Sequence, residues 1–121
     1  MTPAIVVGVG LVGGLGAVAR FLLDGAVAGR AGRDFPYGTL VVNVSGAFLL
    51  GILVGASLNQ NAYRLLATGL IGAFTTFSTW MLESHRLGED GQLGLGVLNF
   101  IVSLILGIAA AWAGRHLGPW L

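Results

Sequence analysis

Gly72-Ala73-Phe74-Thr75-Thr76-Phe77-Ser78-Thr79-Trp80 lies inside a segment, Leu65 to Leu82, that carries no charged residue. Four hydroxyls and three aromatic rings fall within this stretch. Threonine and serine hydroxyls bond to nearby backbone and so compete with a regular helical ladder. At membrane depth, irregular backbone persists only where protein or a water-lined cavity satisfies its polar groups. The stretch is therefore expected to be a break in a membrane-spanning helix, and the break to serve a polar path.

Composition puts the rest of the chain in the same solvent. Of 121 residues, 55% are hydrophobic and 9% charged, and the mean hydropathy is +0.88. A soluble domain carries about a quarter charged residues, so a soluble domain is excluded. Charges leave four long gaps, Met1 to Ala19, Phe35 to Tyr63, Leu65 to Leu82 and Gly91 to Gly114. A spanning helix needs about 20 mostly apolar residues, and each gap with its flanks holds one. The expected fold is an all-α integral membrane protein, one domain over residues 1–121, with helices near 3–23, 38–58, 62–84 (broken around 72–76) and 92–116. The first helix lacks a basic leading region and a defined cleavage site, so it reads as a span and not a signal. Cysteine is absent, which removes disulfides and thiolate chemistry. The six arginines are scattered, without the basic patch that nucleic acid would require.

Those arginines also bear on orientation, which follows the excess of Lys and Arg in cytoplasmic loops. Arg64 and Arg115 fall on the side of the N-terminus; Arg30, Arg33 and Arg86 fall on the other, with Arg20 near the end of the first helix. The near balance fits insertion in both orientations and assembly as an inverted pair, or one fixed topology with the first loop inside. Charge alone does not separate them. Gly10 and Gly14, like Gly51 and Gly55, are four apart, the spacing that lets helix backbones approach closely in lipid. Gly29–Gly38 is expected as a polar loop, Arg86–Gln92 as a second, and Asn59-Gln60-Asn61 as a tight turn.

Polar side chains inside spans are costly and face the bundle interior or a water path. Thr39 and Asn43 share one face of the second helix, and Asn99 and Ser103 one face of the fourth. With Thr75, Thr76, Ser78 and Thr79 they can form one polar track, or act as interhelical glue worth roughly 0.6 kcal/mol per contact. Glue is the reading for Ser45 and Thr68; for Asn43 a mid-span amide offers donors and acceptors to a passing ion. Phe77 and Trp80 are three apart beside the hydroxyls, either as core or with electropositive ring edges turned to an anion. No carboxylate is expected deep in a helix, and His85 and His116 sit at helix ends. No nucleophile–base pair or metal-ligating cluster emerges, which argues against an enzyme and against proton-coupled export.

Three ordered motifs, Gly13-Gly14-Leu15-Gly16-Ala17-Val18-Ala19-Arg20, Gly38-Thr39-Leu40-Val41-Val42-Asn43-Val44-Ser45-Gly46 and Gly72-Ala73-Phe74-Thr75-Thr76-Phe77-Ser78-Thr79, give the chain a specific resemblance. Over essentially its whole length it resembles the Fluc (CrcB) fluoride channels of microbes. The resemblance implies a dual-topology, antiparallel dimer in the cell membrane with two fluoride pathways at its interfaces. It implies a structural Na⁺ at the dimer centre, held by backbone carbonyls at Gly72 and Thr75 of each subunit. It also makes Asn43 a pore-lining amide and Phe77 a ring edge on the fluoride path, with Ser103 a hydroxyl on the fourth helix. Arg20 would bring positive charge to a vestibule, Thr76 and Thr79 would hold the break and line the path, and Glu83 would match a carboxylate ending the third helix. Trp80 stands where the family usually has a second phenylalanine, adding bulk and an N–H donor; Asn99 stands where some relatives have a tyrosine. The implied function is passive fluoride export, giving fluoride resistance. The alternatives are one subunit of a heterodimeric fluoride channel formed with a similar paralogous chain, a dual-topology small-solute exporter, and a non-transporting membrane subunit.

Overall fold

The computed structural model describes residues 1–121. Every regular element is helical, and four segments are long and apolar enough to cross a membrane: Pro3–Ala31, Tyr37–Gly55, Gln60–Glu89 and Leu93–Trp120. The first is helix α1 (Pro3–Ala31), which starts where the Thr2 hydroxyl accepts the Ile5 N–H at 3.3 Å. It runs on past the expected end at 23 and absorbs the beginning of the expected polar loop. Ala-rich sequence continues the ladder, Arg30 sits favourably in the last turn, and Gly32 ends it with φ +80° while returning its N–H to the Ala28 carbonyl. Helix α2 (Tyr37–Gly55) follows Pro36 and stops short of the expected 58. The turn to the third span lies at Ala56–Asn59, not at Asn59–Asn61. The Asn59 side chain accepts the Ala62 N–H at 2.9 Å, so Gln60 and Asn61 already belong to the next helix.

The third span is not one helix. It comprises α3 (Gln60–Tyr63), a π-helix (Arg64–Ile71), a single turn α4 (Gly72–Phe74), an extended residue Thr75 (φ −82°, ψ 159°), and α5 (Ser78–Glu89). The break thus occurs at Thr75–Phe77, at the late edge of the expected window. Helix α6 (Leu93–Leu117) and a short 3₁₀ turn (Gly118–Trp120) complete the chain.

Packing between helices is a matter of missing side chains. On α2, Gly51 and Gly55 lie against the carbonyls of Ala111 and Arg115; in return Gly114 and Gly118 lie against those of Phe48 and Ile52. A Cβ at any of the four would overlap a carbonyl oxygen, so glycine sets the α2–α6 distance. Gly16 does the same where α1 meets the π-helix at Leu70. Gly10 and Gly14, read from spacing as a packing face, have nothing within 4 Å; α1 turns Gly8, Gly13 and Gly16 to its neighbours instead. Only 16 of 121 residues are buried, and Leu11, Leu15, Phe21 and Ile105 are among many exposed large apolar side chains. Water would not tolerate that surface; lipid or another copy of the chain would.

Candidate functional site

The break is clasped from α2 by Asn43. The Asn43 amide reaches from α2 to Thr76, where Oδ1 accepts the backbone N–H and Nδ2 donates to the carbonyl, both at 2.8 Å. Asn43 therefore replaces helical partners that the break removes. Gly46, one turn on, makes the approach possible: a Cβ there would overlap the Thr75 methyl. Past the break, Thr76 Oγ1 accepts the Thr79 N–H at 3.2 Å and also bonds the Thr79 hydroxyl at 3.2 Å. Thr76, one residue before the N-cap position Phe77, thus satisfies an orphan donor in the first turn of α5.

These substitutions leave carbonyls free. In a continuous helix Thr76 would donate to Gly72, and Thr79 to Thr75. Here those N–H groups go to Asn43 Oδ1 and Thr76 Oγ1, and neither the Gly72 nor the Thr75 carbonyl accepts a hydrogen bond. Carbonyl oxygens left unpaired are ligands suited to a hard cation. The Thr75 N–H and hydroxyl both turn back to the Ile71 carbonyl, at 3.0 and 3.1 Å, which fixes the turn that presents them.

A groove of about 440 Å³ runs along this face. Asn43, Thr76, Phe77, Trp80 and Ser103 line it together with Gly72 and Thr75, and apolar residues of α2, the π-helix and α6 form the rest. Phe77 is 69% exposed, its ring edge-to-face with Trp80 at 5.7 Å and 88°. Seven of the nine residues expected from sequence thus meet at one surface. Thr79 does not line the groove; it is tied to Thr76 behind it. Arg20 is also apart: it lies one turn beyond Gly16 on α1, and its Nε is buried without a partner. Ser45 bonds back to the Val42 carbonyl of its own helix at 3.1 Å, and Thr68 is exposed, so neither joins two helices within the protomer.

Two findings depart from the sequence reading. The Trp80 indole N–H is not offered to the groove; it points at the Asn99 backbone carbonyl, 3.4 Å away. Carboxylates also stand further into the helical spans than expected. Asp24 is within α1, packed on Gly38, and Glu83 is within α5 with a buried, unpartnered Oε1. Both border a polar cavity of about 370 Å³ with Arg33 and Arg86 at one end of the bundle. Ser84 is the residue that sequence reasoning passed over: its hydroxyl donates to the Trp80 carbonyl at 2.9 Å and accepts from Asn99 Nδ2 at 2.8 Å. Its place one turn after Trp80 was the available signal.

Comparison with known proteins covers nearly the whole chain. The chain is 58% identical over 116 residues to "Fluoride-specific ion channel FluC 2" of Mycolicibacterium paratuberculosis, covering 96% of this chain and 95% of that protein. It is 56% identical over 115 residues to the protein of that name in Mycobacterium tuberculosis, covering 95% and 91%. "Fluoride-specific ion channel FluC" of Geobacter sulfurreducens is 43% identical over 114 residues, covering 90% and 92%. Residues 7–115 match the family described as CrcB-like protein, Camphor Resistance (CrcB). With four spans, a clasped break and this match over residues 7–115, the chain belongs to the CrcB-like family.

Proposed function

We propose that this chain is a fluoride channel that lets cytoplasmic fluoride run passively out through the plasma membrane. The observation that carries the reading is the Asn43 clasp, which opens the third span beside a groove lined by hydroxyls, an amide and an exposed Phe77 ring. The names of the relatives support it. Fluoride is small and strongly hydrated, so its water must be replaced by donors spread along the path. A neutral lining supplies hydroxyl protons and ring edges without a full charge that would trap the ion, the balance that conduction requires. Nothing in the proposal calls for bond-making chemistry, and the chain is read as a channel and not an enzyme.

The functional unit is read as two copies in inverted orientation. A groove open on one side, with Phe77 at its rim, is completed by a second copy. The near balance of arginines at the two ends permits dual insertion. The unpaired Gly72 and Thr75 carbonyls would face their counterparts at the centre of such a dimer. They would hold a Na⁺ that supplies a structural bridge between the two breaks. The chain's own part is to keep those carbonyls free, through Asn43 and Thr76. Arg20, with a buried unpartnered Nε, would add positive potential near one mouth.

The test is fluoride efflux from liposomes that hold the purified chain alone, followed with a fluoride electrode and a chloride control. Fast fluoride efflux without matching chloride loss is expected. No efflux from well-folded protein would sink the homodimer reading; recovery on adding a similar paralogous chain would assign it a heterodimer.

A further inference from the structure

We propose that Asn99 is a positioning residue for this pore: through Ser84 it sets how α5 seats Trp80 against α6, and so tunes discrimination between fluoride and larger anions. The inference rests on the fluoride-channel reading. Asn99 is 1% exposed, and only it and Val42 are large side chains so completely enclosed. A buried amide is costly unless bonded, and each end of this one is engaged with a different element. Nδ2 donates to Ser84 Oγ of α5 at 2.8 Å, and Oδ1 accepts from Ser103 Oγ of α6 at 3.4 Å. Ser84 passes the linkage on, donating to the Trp80 carbonyl at 2.9 Å.

The indole is thereby placed over α6. Its N–H meets the Asn99 carbonyl at 3.4 Å, and its face stacks on Phe100 at 5.2 Å and 16°. Phe77 meets it edge-to-face at 5.7 Å. Close approach of α5 and α6 is allowed by Gly96, where a Cβ would crowd the Ser84 carbonyl. The consequence is specific to a tryptophan at this position. An indole N–H left free in the groove would be a strong donor to an anion; this network keeps it on a backbone carbonyl and presents ring carbon instead. Asn99 does not line the groove, so its effect on the ion passes through Trp80.

The experiment uses the full chain carrying Trp112→Phe and Trp120→Phe, which leaves Trp80 as the sole tryptophan. Asn99→Leu, of similar size but unable to bond Ser84, is expected to raise acrylamide quenching of Trp80 at least twofold and lower the fluoride-to-chloride flux ratio about tenfold. Ser84→Ala breaks the same linkage and is expected to do likewise; it carries the test if Asn99→Leu does not fold. In a Trp80→Phe background Asn99→Leu is expected to change the flux ratio less than twofold. Unchanged quenching in both Asn99→Leu and Ser84→Ala would overturn the proposal. So would an equal loss of selectivity with and without Trp80, which would mean that Asn99 meets the ion or merely holds the fold. If the parent conducts no fluoride, the channel reading fails, and the quenching result alone still decides the positioning role.

Discussion

Replacing Asn43 by alanine cuts the clasp on the helix break at both ends. Two 2.8 Å bonds to the Thr76 backbone are lost, and the Thr76 N–H and carbonyl are left without partners. A typical bond contributes about 1 kcal/mol net, and a buried polar group left unmade costs about 1–3 kcal/mol. The site is only half-buried, so water relieves part of that cost, and about 2–4 kcal/mol is expected in all. At 1.4 kcal/mol per factor of ten, the equilibrium ratio of intact to opened break falls about 30- to 700-fold. Fluoride efflux from liposomes should fall at least tenfold, and the melting temperature in detergent should drop with it. Asn43→Asp makes the comparison sharper. It is nearly the same shape and still accepts the Thr76 N–H, but it turns an oxygen towards the Thr76 carbonyl, so it should be no better than alanine. Asn43→Ala with parental efflux and parental melting would refute the idea that this amide holds the break.

Three further outcomes follow from the same geometry. Gly46→Val forces a side chain onto the Thr75 methyl, a strain of about 1–3 kcal/mol, and should abolish efflux; Gly10→Val, where nothing lies within 4 Å, should be tolerated. Efflux from both variants decides this, and equal behaviour would contradict it. Phe77→Leu removes the ring edge that the proposed path uses and should lower fluoride efflux at least tenfold; undiminished efflux would remove Phe77 from the path. If the chain pairs as proposed, exhaustive replacement of sodium by a bulky organic cation should weaken that dimer on size exclusion and slow efflux, with recovery when sodium returns. An unaffected dimer would mean that the Gly72 and Thr75 carbonyls hold no sodium.

Much of this architecture is legible in the chain because a membrane protein must announce its spans. Four charge-free gaps permit four helices, and the crowded hydroxyls of Thr75, Thr76, Ser78 and Thr79 mark where the third cannot stay regular. Asn43 stood out because an amide at mid-span needs a reason. What was not legible depends on distances between elements. The π-helix at Arg64–Ile71 leaves the apolar pattern looking like any other helix. The length of α1 was hidden because Asp24 and Arg30 look like loop residues until Asp24 is seen packed on Gly38. Gly10 and Gly14 have the spacing of a packing face and pack on nothing within the protomer, since spacing says that a helix can be approached, not that it is. The Trp80 N–H could have faced either way; only the carbonyl of Asn99, 3.4 Å off, decides.

The most direct measurement is the reversal potential of the purified chain in a planar bilayer, with a tenfold fluoride gradient and equal chloride and pH on both sides. A passive fluoride-selective pore predicts current that reverses near the fluoride equilibrium potential, about 59 mV from zero for a monovalent ion. Reversal at or near zero would contradict fluoride selectivity, and no current from well-folded protein would contradict the claim that this chain by itself conducts fluoride.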